Sequence, residues 1–497
     1  MKRPRKECLA CILSLAALAL LLAFFTVLLT PKQHDHGAGW GQFRQEAEQS
    51  IDVLVVGSSM AYCDVVPAVF WEETGLTAYV MGGQELPFPM EEVYLREALR
   101  TQRPRAVLFE VTSAFWEPRT GHEKLNIGQM PWGWNRWKAT FTQAGPEERL
   151  GLLFPLYFYH DRWDSLTGDD WSVALRGYEA DPLAGYTYLG EYRVYEAVTR
   201  RDKAIDPAEV EANWQRARAL ADLCAGEGIL PVFYLSPAVE RTDPAVTGPF
   251  LDRLRTLPNA YVLDCGEAAS GLSLSLTRDF YDALHLNAGG AETFTRWLAG
   301  WCRDTLPLSA SEEGDVPLWE DRAAHFHRLR QTPLTLAEDY FTEPLRWADE
   351  AGITDGGGAE ALFPASPCSL GQALLFLWRS AGSPPVSGDP ASPALAWAEE
   401  QGLLTGPGDP DAALDRGDLV GMLWRMAGSP AAAIENPYAD LDPASPEYAA
   451  ALWAYDRGLV RGSGEEALAF QGADPCTRGQ VVTFLWRYYH DDGEGAG

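Results

Sequence analysis

Apolar positions along this 497-residue chain fall into three successive patterns. Lys2, Arg3, Arg5 and Lys6 lead into an uncharged apolar stretch from Cys8 to Leu29. A helix of about 20 residues, rising 1.5 Å per residue, spans a hydrocarbon core of about 30 Å. From 51 to about 305 the apolar residues come as short runs: Ile51–Val56, Thr77–Met81, Arg105–Val111, Ile229–Leu235 and Ala260–Asp264. Runs of this length read as buried strands. Between them lie helical patterns: Glu91–Thr101, with Val93, Leu95, Ala98 and Leu99 apolar; Pro207–Glu227, opened by a proline suited to a first turn; and a last helix opening over Ala288–Leu298. Buried strands alternating with amphipathic helices predict an α/β domain, a parallel sheet with helices on both faces, whose ligands bind at the carboxyl ends of the strands.

After residue 338 the pattern repeats. Trp347-Ala348, Trp397-Ala398 and Trp453-Ala454 each precede a glycine-bounded turn. Each block ends in a second helix carrying Leu-Trp-Arg, at 377–379, 423–425 and 485–487. Three copies of helix, turn, loop and helix predict a repeat module over 338–490. The divisions expected are a basic segment 1–7, a transmembrane signal anchor 8–30, a polar stalk 31–50, the α/β domain 51–305, a linker 306–337 and the repeats. No clear small-x-small cleavage site precedes Thr30-Pro31-Lys32, so an anchor is favoured over a cleaved signal peptide. The basic flank predicts that the rest lies outside the cytoplasm.

Residues 112–205 break the strand–helix rhythm and are rich in aromatics, among them Trp116, Trp132, Trp134, Trp137, Tyr157, Phe158, Tyr159, Trp163, Trp171, Tyr186 and Tyr188. An insertion over the carboxyl edge of the sheet is expected. Its rings suit sugar faces, but most are expected to build the insertion's own core.

Composition narrows the function. Seventy acidic against 40 basic residues give a net charge of −30, which excludes a broad nucleic-acid surface. The eight cysteines are scattered, with no second CxxC beside Cys8 and Cys11. They form neither a zinc signature nor a disulfide scaffold and should behave as small buried hydrophobes. No metal and no cofactor is expected.

Two segments carry candidate chemistry. Ile51–Val56 runs into Gly57-Ser58-Ser59, which places Ser59 at the carboxyl end of the first strand. Asp282-Ala283-Leu284-His285 supplies an imidazole with a carboxylate three residues earlier. An alcohol, a base and an acid that orients the base are the parts of nucleophilic catalysis. Competing readings are plainer: Ser59 as a helix N-cap, and Asp282 with His285 as a capped turn before the last helix. His160-Asp161-Arg162-Trp163 could anchor an anion through Arg162, or hold a buried ion pair. Glu110 could line the site or pair with an arginine.

The repeats resemble S-layer homology domains. That family implies an all-α three-repeat bundle bound non-covalently to cell-wall secondary polysaccharide through a Thr-Arg-Ala-Glu motif. Thr477-Arg478-Gly479-Gln480 is close to it, Asp415-Arg416-Gly417-Asp418 keeps the arginine, and Ser369-Leu370-Gly371-Gln372 has lost it. The resemblance therefore implies Thr477, Arg478 and Arg416 as polymer contacts. The competing reading is a degenerate bundle acting as a spacer. The 51–305 segment resembles the SGNH/GDSL hydrolases, particularly the membrane-anchored branch with the D-alanine transfer proteins. That implies a flavodoxin-like sheet, Ser59 as nucleophile, Asp282 and His285 as orienter and base, and an oxyanion hole from Ser59 with Gly82 or Gly83. The family's Gly-x-Asn-Asp is replaced by Glu110-Val111-Thr112, which removes one expected oxyanion donor. The expectation is an extracytoplasmic serine esterase or O-acyltransferase acting on envelope glycans, held by membrane helix and wall-binding repeats. The alternative is a non-catalytic tether whose hydrolase domain has decayed.

Overall fold

The computed structural model describes residues 3–32, 39–117, 121–201, 205–266, 271–310, 315–388, 390–432, 434–463 and 467–490. The chain divides into two compact units, 1–193 with 198–335 and 194–197 with 336–497.

The first unit opens with helix α1 (Arg3–Leu29). Its Leu9–Leu29 segment, with a mean hydropathy of 2.8, is long and apolar enough to cross a membrane. Leu9 to Leu22 present exposed side chains, whereas Leu28 and Leu29 are buried. The expected stalk does not stand free. It folds into α2 (Trp40–Phe43), and both its aromatic rings are buried. Trp40 meets Tyr94 and Phe43 meets Tyr79 edge to face. Two large rings gain more from burial than a polar stretch gains from solvation, so they draw the segment onto the domain.

The sheet is built by β1 (Val53–Gly57), α3 (Ser59–Asp64), α4 (Pro67–Thr74), β2 (Ala78–Gly82), α5 (Met90–Ala98) and β3 (Ala106–Glu110). The insertion follows, with α6 (Glu123–Asn126), α7 (Trp134–Thr142), α8 (Pro146–Leu153), α9 (Leu156–Tyr159) and α10 (Gly168–Arg176). Then come α11 (Pro207–Glu227), β4 (Leu230–Leu235), α12 (Pro244–Leu254), β5 (Tyr261–Asp264), α13 (Ala288–Thr305) and α14 (Val316–Arg330). All five strands are parallel, in the order β2-β1-β3-β4-β5. This is the flavodoxin-like doubly wound order, which reverses between β1 and β3 and opens a crevice at their carboxyl ends. β1, β2 and β3 are buried along their whole length, as sequences without alternation require.

Part of the expected linker is also structural. Helix α14 buries Trp319 and Phe326, stacks Trp319 on Trp71 with ring centroids 6.3 Å apart, and pairs Arg322 with Glu46 at 2.5 Å. Residues 311–314 of that linker lie outside the described residues.

The insertion corrects the expectation for its aromatics. Tyr186 is buried, but Trp132, Trp134, Trp137, Tyr157, Trp163 and Trp171 are exposed. Small helices of four to nine residues enclose too little volume to bury that many rings.

The second unit comprises α15 (Thr342–Glu350), α16 (Ala359–Leu362), α17 (Leu370–Ser380), α18 (Pro393–Glu400), α19 (Arg416–Met426), α20 (Tyr448–Asp456) and α21 (Arg478–Tyr489). The first helix of each repeat packs on the second helix of another: α15 on α21, α18 on α17, α20 on α19. The ring closes, so no repeat is left as an unpaired end. Three loops at its centre exchange backbone hydrogen bonds in a cycle. Cys368 donates to Cys476 at 2.8 Å, Cys476 to Leu414 at 2.8 Å, and Leu414 to Cys368 at 3.1 Å. The recurring arginine of each repeat caps its own turn: Arg379 donates to the Ile353 carbonyl, Arg425 to Leu403 and Arg487 to Leu459.

Candidate active site

β1 ends at Gly57, where the chain turns straight into α3. A side chain at 57 would clash, since a Cβ there would lie 2.6 Å from Glu110 Cβ and 3.1 Å from Ala61 Cβ. The close approach of β3 and α3 therefore requires glycine. Ser58, not Ser59, occupies the N-cap position, and its side chain makes no capping bond. Ser59 is the first helical residue. First-turn amides have no acceptor inside their own helix, so the Ser59 N–H faces outward beside its own hydroxyl.

The distant segment meets it there. Ser59 Oγ lies 2.7 Å from His285 Nε2. The other ring nitrogen, Nδ1, lies 2.9 and 2.8 Å from the two Asp282 oxygens. Asp282 Oδ1 also accepts the Leu284 and His285 backbone amides, each at 2.8 Å. The capped-turn reading of Asp282 and the orienting one thus hold together: one carboxylate folds the turn and grips the imidazole. This fixes the tautomer with the proton on Nδ1 and leaves Nε2 to accept from Ser59. Burial acts to raise the Asp282 carboxyl, but the hydrogen bond and charge of His285 and the two amides outweigh it and hold the group below the usual aspartate range.

Behind Ser59 sit two buried carboxyls, Glu110, which the sequence reading placed at a strand end, and Asp64, which it did not single out. Glu110 is wholly buried, does not line the cleft, and pairs with no arginine among the described residues. It accepts from Ser58 Oγ at 3.2 Å, from the Thr112 amide at 3.1 Å and hydroxyl, and from the Ser236 amide at 3.4 Å. Asp64, at the end of α3, accepts the Leu286 amide at 2.9 Å, so the residue after His285 is tied to the helix that begins with Ser59. Burial raises both carboxyls above their ordinary range. The signal that could have found them was an acid at the end of each of two otherwise apolar elements.

The remaining expected oxyanion donors divide. The Gly83 N–H is donated to the Gly57 carbonyl at 3.1 Å, so Gly83 is bound into the ladder and does not offer its amide to the cleft. The Val80 N–H points away from β1, to the Ala184 carbonyl at 2.9 Å. Alternation along the strand sends the Gly82 N–H the same way, toward the segment that walls the cleft. Asn126 does not replace the missing asparagine, because its Nδ2 is donated to the Gln84 carbonyl at 3.0 Å.

The cleft, about 710 Å³, is lined by Ser59, Tyr62, Cys63, Tyr186, Thr187, Tyr188, Tyr281 and His285, with α10 along one side. Tyr186 Oη and Thr187 Oγ1 are buried there without a hydrogen-bond partner among the described residues. Burial pushes the Cys63 thiol well up, so it does not rival Ser59 as nucleophile. Arg162 lies elsewhere, paired with Asp170 at 2.8 Å and not with Asp161.

In the repeat unit Thr477 caps α21 in a reciprocal box with Gln480. Arg478 lines a groove of about 160 Å³ with Asp349, Asp355, Gln372 and Phe376. Its guanidinium is already engaged, with Gln372 Oε1 at 3.3 Å, the Leu362 carbonyl at 3.1 Å and Glu196 at 3.2 Å. Arg416 does not join that groove. Its guanidinium lies 6.0 Å from the Phe484 ring centre, with Nε buried and unpartnered among the described residues. The six described cysteines outside α1 are all buried, and among the described residues no cluster of metal-ligating side chains occurs.

No family model matches the chain, and no curated protein matches it by sequence.

Proposed function

We propose that this protein is a serine esterase or O-acyltransferase working outside the cytoplasmic membrane on acylated envelope glycans. The observation that carries the reading is the 2.7 Å contact between Ser59 Oγ and His285 Nε2, with Asp282 on the opposite nitrogen. In the proposed mechanism Ser59 attacks an ester carbonyl as its proton passes to His285 Nε2. Asp282 holds the imidazole orientation and balances the imidazolium charge. The Ser59 and Gly82 amides receive the oxyanion. The tetrahedral adduct collapses when His285 protonates the leaving alcohol, leaving an acyl-serine. Water or a glycan hydroxyl, deprotonated by the same imidazole, then takes the acyl group. The unpartnered hydroxyls of Tyr186 and Thr187, among several tyrosine rings, support a polyhydroxylated substrate.

α1 serves in this reading as a membrane anchor with its basic end inside. The repeat unit holds the protein to wall polysaccharide, with Arg478 the contact for an acidic group. A second reading, a tether that binds glycan without turning it over, is favoured by the absent asparagine after β3. Turnover of an activated acetyl ester by the full chain separates the two. Ser59→Ala should lower it roughly 10⁴-fold or more, and Asp282→Asn by about 10⁴-fold. Turnover that survives Ser59→Ala would leave the tether.

A further inference from the structure

The aromatic insertion wears its apolar residues outside. Outside α1, most of the large apolar side chains left exposed fall between 132 and 175. They form stripes. On α7, Trp134, Trp137 and Phe141 share one helix face and are 79%, 47% and 49% exposed. Leu150 and Phe154, one turn apart at the end of α8, lead to Tyr157 on α9, all exposed. On α10 Trp171 and Leu175 are exposed one turn apart, while Asp169, Ser172 and Val173, on the opposite side, line the catalytic cleft.

Two of these helices meet α1 where it leaves the fold, and α7 and α8 follow from them through α9. α1 packs on α9 and α10. Phe25 meets Trp163 edge to face at 5.4 Å, one turn, or about 6 Å, inside the last residue of α1. Arg162 donates to the Leu29 carbonyl at 2.8 Å, and Lys32 to the Val27 and Thr30 carbonyls. Both cations also reach Asp170 of α10, Arg162 at 2.8 Å and Lys32 at 3.7 Å. The exit of α1 is thus locked to the insertion by cations at its carboxyl end. A depth on α1 is therefore a depth on the insertion.

We propose that the exposed faces of α7 to α10 rest in the outer interface of the lipid bilayer, and that the catalytic cleft works within one helix of that surface. The proposal rests on the reading of α1 as a membrane span. Tryptophan and tyrosine rings are the side chains that settle at headgroup level, and amphipathic helices lie in that plane with their apolar faces down. Exposed Trp163, in contact with Phe25, joins the patch to the apolar surface of α1, so lipid covering one reaches the other. Since α10 separates the bilayer from the cleft by its own thickness, the fitting substrate is an acylated polymer or amphiphile displayed at the membrane surface.

The test uses the full chain in vesicles of phosphatidylglycerol and phosphatidylethanolamine containing a lipid with a diazirine on the acyl chain near the glycerol. After irradiation, adducts mapped by mass spectrometry should fall on 134–141, 150–157 and 171–175 as well as on α1. Trp134→Ser/Trp137→Ser/Phe141→Ser should lose the α7 adducts and keep those on α1. Adducts confined to α1 overturn the proposal while leaving the span intact; adducts on neither segment overturn both. A patch bare of adducts in lipid vesicles but shielded from hydroxyl radicals in native membranes would mean that a membrane protein covers it, and would also overturn the proposal.

Discussion

Glu91 sits in the first turn of α5, fully buried, and neither carboxyl oxygen has a hydrogen-bond partner among the described residues. Burial, and then the nearby Glu110, raise its carboxyl well above the ordinary range. A carboxyl with a higher pKa folded than unfolded binds its proton more tightly in the native state. The ionisation-linked cost of its burial is absent below the unfolded pKa and grows as pH rises from that value to the folded one. Glu91→Gln should therefore stabilise the protein at pH 8 by about 1 kcal/mol or more and have little effect near pH 4, as read by thermal unfolding in detergent. A pH-independent effect would contradict this. Asp282 has the opposite sign. Its carboxyl is depressed, so the grip on His285 is complete above the ordinary aspartate value and is lost as pH falls through the lower folded one. Ser59, Asp282 and His285 were legible in the sequence because an alcohol after an apolar run and an acid–imidazole pair are rare types in a telling order. Asp64 was not, and Glu110 was visible only as an acid at a strand end, without its partners. A lone buried acid has no spacing signature, and what it accepts is decided by strands far apart in the chain.

At the level of elements, strands and long helices were readable because their apolar runs and caps are local. Pro207–Glu227 appears with the bounds its proline and glycine set, and the five strands fall within two residues of their apolar runs. The stalk and linker were misjudged for one reason. Trp40, Phe43, Trp319 and Phe326 are sparse in polar stretches, and only a partner surface reveals that each is a core residue. The backbone of the His285 turn is tied to α3 by the bond from the Leu286 amide to Asp64. Asp64→Ala strips a buried amide of its acceptor, which costs about 1–3 kcal/mol, and frees the imidazole to drift from Ser59. Ester turnover should fall with Asp64→Ala and be largely restored in Asp64→Asn, which keeps an acceptor oxygen. Equal loss in both would show that charge, not position, is the contribution. In the repeat unit, Glu196 competes with any acidic ligand for Arg478. Glu196→Gln should strengthen pull-down by purified acidic wall polymer and Arg478→Ala should weaken it. Binding indifferent to both would leave the bundle a spacer.

The whole molecule combines a doubly wound sheet, a helix able to cross a membrane and a closed ring of three repeats. The repeats were legible because helix, turn and Leu-Trp-Arg recur in order; their closure through the cycle of Cys368, Leu414 and Cys476 was not, since each is only the residue before a helix cap and nothing local shows that the three meet. At Gly371 a Cβ would lie 2.9 Å from Pro410 Cβ and 3.0 Å from its carbonyl oxygen. Gly371→Val should therefore lower the unfolding temperature of the repeat unit while leaving ester turnover unchanged. A catalytic serine joined to its base across 226 positions of sequence remains the central claim. Its most direct measurement is reaction of the full-length protein with a fluorophosphonate, followed by peptide mapping. One adduct on Ser59, lost in His285→Ala, is the predicted result. No adduct, or an adduct on another residue that persists in Ser59→Ala, would contradict it.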